Sequence, residues 1–91
     1  MELARVEKIS KSLADITRLT ILNYMGSQKG FTQCSEIMNL TNLAQPSVSH
    51  HIKTLLEADL IIVEKDGRSH SYSLNSALLR LFIEQINRIA Q

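Results

Sequence analysis

A mainly α-helical fold carrying one small β-hairpin is predicted by three observations. Apolar residues recur at helical spacing through most of the 91 positions, the period changes to alternation once, between Leu60 and Leu74, and an Asp66-Gly67 turn signal interrupts that stretch. The composition is that of a globular chain, because 44% apolar and 21% charged residues with three Gly and one Pro exclude disordered and low-complexity classes. Residues 1–91 read as one domain. A chain of this size buries only about 60 to 65% of its unfolded surface, so a second copy of itself would help it considerably.

The first helix is expected from about Glu2 to Ala14, where Leu3, Val6, Ile9 and Leu13 make one stripe and Arg5, Glu7, Lys8 and Lys11 cover the rest. Asp15 can cap a second helix carrying Leu19, Leu22 and Met25, with Gly26 suited to its left-handed end. Ser27 to Gly30 reads as a loop. A short third helix from about Thr32 to Leu40 would bury Ile37 and either Cys34 or Met38, and Asn42 tolerates the positive φ of the turn that follows.

The fourth helix, from about Pro46 to Ala58, is the most informative segment. Pro46 suits the first helical position, and Val48, Ile52 and Leu55 form the buried stripe. The opposite side carries Ser47, His50, Lys53 and Thr54, and no Asp or Glu occurs from Ile37 through Leu56. A helix that packs on one side and shows hydroxyl and cationic groups on the other is suited to phosphates and base edges. Two helices joined by a tight turn, the second with such a face, match the helix-turn-helix unit.

Leu60 to Val63 starts the hairpin, or wing, and His70, Tyr72 and Leu74 alternate with serines on the return strand. A two-residue Asp66-Gly67 turn sets Lys65 opposite Arg68 and Val63 opposite His70, an arrangement that a phosphate would relieve; a longer loop would separate the cations. The Val63 partner makes His70 a half-buried ring. The last helix, Asn75 to Gln91, is apolar around most of its circumference, with Arg80, Glu84, Arg88 and Gln91 as one polar row. Another chain is expected to cover the surplus. Leu3, Val6, Ile9, Leu78, Phe82, Ile86 and Ile89 are the candidate dimer-interface residues.

Four segments together carry a family resemblance: Ser12-Leu13-Ala14-Asp15-Ile16-Thr17-Arg18-Leu19-Thr20-Ile21-Leu22, Glu36-Ile37, Gln45-Pro46-Ser47-Val48-Ser49-His50-His51-Ile52, and Gly67-Arg68-Ser69-His70-Ser71-Tyr72-Ser73-Leu74. The chain resembles the ArsR (ArsR/SmtB) family of winged-helix transcriptional repressors over roughly residues 10 to 75. Ile16 stands where the family usually has proline. The resemblance implies a homodimer, built on the first and last helices, that binds a double-stranded operator and releases it on a signal.

The resulting candidate DNA contacts are Gln45, Ser47 and His50 toward bases, and Ser49, Lys53 and Arg68 toward phosphates. His51 lies beside the apolar stripe and is expected to bond internally. Neighbouring His50 and His51 point about 100° apart on a helix and cannot chelate one ion. Arg18, three residues after Asp15, suits either an ion pair at the helix start or a phosphate.

Net charge is +1, so bulk charge announces no polyanion partner and the argument rests on local distribution. No phosphate loop, nucleophile elbow or metal-ligand set is present, so no catalytic residue, cofactor or metal is expected. The family's metal boxes are incomplete: Gln33-Cys34-Ser35-Glu36 holds one thiol, and the last helix has no His, Asp or Cys. The alternatives are a winged-helix protein-interaction module, which would dispense with the cationic and hydroxyl face, or a thiol- or metal-responsive repressor acting through Cys34. The charged N-terminus and the lack of a long apolar run predict a cytoplasmic protein without a membrane span.

Overall fold

The computed structural model describes residues 1–91. The order is α1 (Leu3–Leu13), α2 (Ile16–Ser27), β1 (Thr32–Gln33), α3 (Cys34–Thr41), α4 (Gln45–Glu57), β2 (Ile61–Asp66), β3 (Ser69–Leu74) and α5 (Ser76–Ile89). It is a winged helix-turn-helix: α3 and α4 are joined by a short turn, and the β2–β3 hairpin is the wing.

Asp15 and Asn42 mark helix ends as the sequence predicts. Asp15 caps α2 by accepting the Arg18 N–H at 3.0 Å. That bond, with the Arg18 guanidinium beside it, holds the Asp15 carboxyl below its ordinary 3.8. Asn42 closes α3 at φ 57°. A further left-handed residue, Asp59 at φ 60°, ends α4: the Leu60 N–H reaches the Leu55 carbonyl at 3.1 Å and the Asp59 N–H reaches Leu56 at 3.0 Å. This closing pattern drops Leu60 into the core and starts β2.

The core gathers Ile9 from α1, Ile21, Leu22 and Met25 from α2, Ile37 from α3, Val48, Ile52 and Leu55 from α4, and Leu60, Ile61 and Leu78 beyond them. Four expectations are corrected. The α2 stripe is Ile21, Leu22 and Met25, while Leu19 is exposed, because α2 packs against both α1 and α3 and so turns a different side inward. Gly26 does not end α2 in a left-handed turn. It lies inside the helix, where a Cβ would meet Leu74 Cδ2 at 3.5 Å, and the helix runs on to Ser27.

Thr32 is not helical. With Gln33 it forms β1, which adds to β3 in the antiparallel order β1-β3-β2, pairing Thr32 with Tyr72 and Gln33 with Ser71. The wing register also differs. The turn residues are Gly67 and Arg68, so Lys65 pairs with His70 and Val63 with Tyr72. Gly67 has φ 61° and Arg68 does not share the positive sign, which fits a turn with glycine at the first central position. A shift of two keeps every side chain on its expected face, yet it moves His70 to the exposed tip and separates Lys65 from Arg68. His70 is therefore not a half-buried ring.

Asn75 caps α5 by accepting the Leu78 N–H at 3.3 Å, and its Nδ2 donates to the Asp59 carbonyl at 2.9 Å, tying the end of α4 to the start of α5. Within the polar row of α5 only Arg88 pairs with Glu84, at 3.1 Å; Arg80 makes no ion pair. Leu81, Ile83, Ile86 and Ile89 of α5 and Leu3 of α1 are exposed. Of the seven candidate interface residues, Val6, Ile9 and Leu78 are already buried within the protomer, so Leu3, Phe82, Ile86 and Ile89 retain surface for a partner. The seven mixed two roles, because stripe positions that close the chain's own core look the same in sequence as those that face outward. No helix is long and apolar enough to cross a membrane.

Candidate nucleic-acid interface

The candidate recognition surface is built on α4. Its inner side is fixed by Val48, Ile52 and Leu55, which are buried among residues of the other helices, so the rotation of the helix about its axis is set by packing. Gln45, Ser47, Ser49, His50 and Lys53 are consequently exposed, as is Arg68 in the wing turn. Helical periodicity divides them: Gln45, Ser49 and Lys53 follow at i, i+4, i+8 along one flank, and Ser47, His50 and Thr54 at i, i+3, i+7 along the other. Glu57 is the first acid of the helix and lies at its C-terminal end.

Gln45 begins the helix and Pro46 is its second residue, with Ala44 as a cap residue that makes no side-chain bond. Pro46 has no N–H, and the Ser47 and Val48 N–H groups both donate to the Ala44 carbonyl at 3.1 Å, so the Gln45 N–H is the one left without a partner at this end. This end of a helix carries partial positive charge and attracts phosphate oxygens. The wing is less one-sided. Lys65, Arg68 and His70 are exposed there, but so are Glu64 and Asp66.

Two polar residues prove structural. His51 is half-buried, and its Nδ1 lies 3.2 Å from Arg18 Nη1; since a guanidinium only donates, Nδ1 accepts and the ring proton sits on Nε2. Arg18 also donates from Nε to the Ser12 carbonyl at 2.6 Å and from Nη2 to the Lys11 carbonyl at 3.3 Å, with Asp15 at 4.0 Å. One side chain therefore joins the end of α1, the start of α2 and the middle of α4. From sequence, Arg18 suits either an ion pair or a phosphate. Its hydrogen bonds to α1 carbonyls and to His51 were not legible, because they join positions far apart in the chain.

The expected internal role of His51 is borne out. His50, 5.7 Å from His51 between ring centroids and turned 61° to it, faces outward and lines a cavity shared with α1. Cys34 opens α3 half-buried against the core, and no three His, Cys, Asp or Glu side chains gather as a metal-ligand set. Glu36, in the first turn of that helix, accepts the Gln33 N–H at 2.7 Å and the Tyr24 hydroxyl at 3.0 Å. The Glu36 bond also pushes the Tyr24 hydroxyl above its ordinary range.

A helix-turn-helix with a wing, whose second helix turns an outer side of hydroxyl, amide and cationic groups to solvent, defines a DNA-binding regulator. The model of the arsR family of bacterial regulatory proteins matches residues 15–63, which span α2 to the start of the wing, and the chain belongs to that family. It is 34% identical over 89 residues to the arsenical resistance operon repressor of Staphylococcus aureus, covering 98% of this chain and 84% of that one. An ArsR-like transcriptional regulator from Rhodococcus sp. RHA1 has the same fold, with a TM-score of 0.83 at 22% identity over 97% of this chain and 81% of that chain. The homodimeric winged helix-turn-helix DNA-binding domain of a possible ArsR-family regulator from Mycobacterium bovis superposes with a TM-score of 0.76 at 24% identity, over 97% and 80%.

Proposed function

We propose that the protein is a cytoplasmic transcriptional repressor that binds, as a homodimer, an inverted-repeat operator in double-stranded DNA. The observation that carries this reading is α4: its packing leaves Gln45, Ser47, Ser49, His50 and Lys53 outward on a surface with no acid before Glu57. Gln45, Ser47 and His50 lie in the first turns, where such helices read bases in the major groove. Ser49, Lys53 and Arg68 hold phosphates and set the docking angle.

The dimer reading is supported by the apolar surface that one protomer leaves uncovered. Leu3, Leu81, Ile83, Ile86 and Ile89 stand exposed on α1 and α5, and an apolar groove of about 660 Å³ between α2 and α5 is lined by Leu19, Leu22, Leu79 and Phe82. A two-fold dimer sets the half-site centres about one helical turn, or a multiple of it, apart.

The test compares variants on a duplex recovered by selection from random sequence. Lys53→Ala weakens all duplexes alike and lowers the salt slope by about 1, whereas Gln45→Ala or His50→Ala costs on the order of 1 to 3 kcal/mol at particular bases. Equal losses on every sequence for all three variants would contradict base reading. Sedimentation of Ile86→Lys in parallel should show monomers; a dimer unchanged by that substitution would place the interface elsewhere.

A further inference from the structure

Beside the recognition helix the fold assembles a second cationic surface that no single stretch of sequence contains. Between α4 and the α1–α2 corner lies an open cavity of about 360 Å³, lined by Lys8 and Lys11 of α1, Arg18 of α2, and His50, Thr54 and Glu57 of α4. Three fixed cations therefore face one carboxylate. Lys8 makes no ion pair, and Lys11 reaches Glu7 only at 4.0 Å, with both side chains at least 70% exposed. Pairs of that kind are worth little and leave the ammonium free to take a better anion.

Arg18 is only 13% exposed and already donates to two carbonyls and to His51. It supplies field rather than a contact. Its nearest carboxylate, Asp15, is 4.0 Å away, so its charge is only partly compensated. The lining holds one hydrophobic residue, Ala58, and one ring, His50, among cations, hydroxyls and a single carboxylate. What the cavity fits is a compact, strongly hydrated anion held by two mobile ammonium groups.

We propose that this cavity seats a backbone phosphate of the bound duplex, with Lys8 and Lys11 as its donors. The inference rests on the DNA-binding reading and adds α1 to the docking surface. His50 argues for duplex phosphate over a free anion, because it belongs both to the cavity and to the outer side of α4. A strand passing the first turns of α4 continues along that flank toward α1. The same helix carries Leu3 on the apolar surface assigned to the partner protomer, so α1 links assembly to DNA docking.

The experiment uses the full chain and a mixed-sequence duplex, with affinity measured across a salt series. Lys8→Gln/Lys11→Gln is expected to fold as the wild type does, because both side chains are exposed, and to lower the magnitude of the salt slope by about 1. Lys8→Arg/Lys11→Arg is expected to restore the slope. A double Gln variant with the wild-type slope overturns the inference while leaving the repressor reading intact. So does thermal stabilisation of the wild type by orthophosphate at constant ionic strength with the slope unaffected by the Gln pair, which would assign the cavity to a free anion. A wild type that binds no duplex overturns the repressor reading itself.

Discussion

Replacing Arg18, in the first turn of α2, by Met should destabilise the protein strongly. Methionine keeps the apolar stem and removes the guanidinium, leaving the α2 cap intact because that bond uses the Arg18 backbone N–H. The 2.6 Å bond to the Ser12 carbonyl is charge-assisted and part-buried, a class worth about 1.5 to 3 kcal/mol. The bonds to Lys11 and His51, at 3.3 and 3.2 Å, add about 0.5 to 1 kcal/mol each. The partly exposed Asp15 pair at 4.0 Å adds less than about 1 kcal/mol. Recovered side-chain freedom offsets about 1 to 2 kcal/mol, and the expected net loss is centred on about 3 kcal/mol.

In urea this appears as a lower midpoint with an unchanged slope, a drop of about 1 to 2 M for m near 2 kcal/mol/M. Protein concentration must be held fixed, because dimerisation would raise the apparent stability. Arg18→Lys should recover less than half, since one ammonium cannot span acceptors on α1 and α4 together. A loss below about 1 kcal/mol for Arg18→Met, or full recovery by Lys, would refute the idea that this side chain clamps the three helices.

Three further outcomes follow from single residues. Thr32 is buried with its hydroxyl unpartnered, so Thr32→Val should stabilise by about 1 kcal/mol in chemical unfolding, and a loss of stability would show that the hydroxyl has a partner. Asp15 has its carboxyl pKa lowered on folding, so its contribution is full above about pH 4, where the unfolded carboxyl ionises, and is lost as pH falls through the lower folded value; Asp15→Asn keeps a cap and should flatten stability across that acid range. Cys34 has no ligand set around it, so Cys34→Ser should leave operator binding within a few-fold of wild type with or without peroxide, zinc or arsenite, well short of the 5- to 150-fold range of about 1 to 3 kcal/mol typical of allosteric coupling.

Locally encoded features were legible in the sequence and those made by distant partners were not. Asp15, Asn42 and Pro46 announce helix boundaries through their own backbone chemistry, and Val48, Ile52 and Leu55 fix which side of α4 turns outward. β1 has two residues and no period of its own; it exists because β3 offers a free edge beside it. The hairpin register slipped because Asp66-Gly67 and Gly67-Arg68 both supply a glycine for a tight turn, and only the pairing with β1 and the core decides between them. Lys8 and Lys11 looked like a solvated flank of α1, since nothing nearby in the chain signals that His50 and Thr54 will face them.

If α4 reads bases, the protein selects particular duplexes from a random pool. Incubating the purified protein with a pool of random-sequence duplexes, recovering the bound fraction through successive rounds and sequencing it, tests that claim most directly. The expected result is enrichment of an inverted repeat whose half-site centres lie about one helical turn, or a multiple of it, apart, and loss of that enrichment in Gln45→Ala/His50→Ala. Recovery of a pool indistinguishable from the starting one would contradict it.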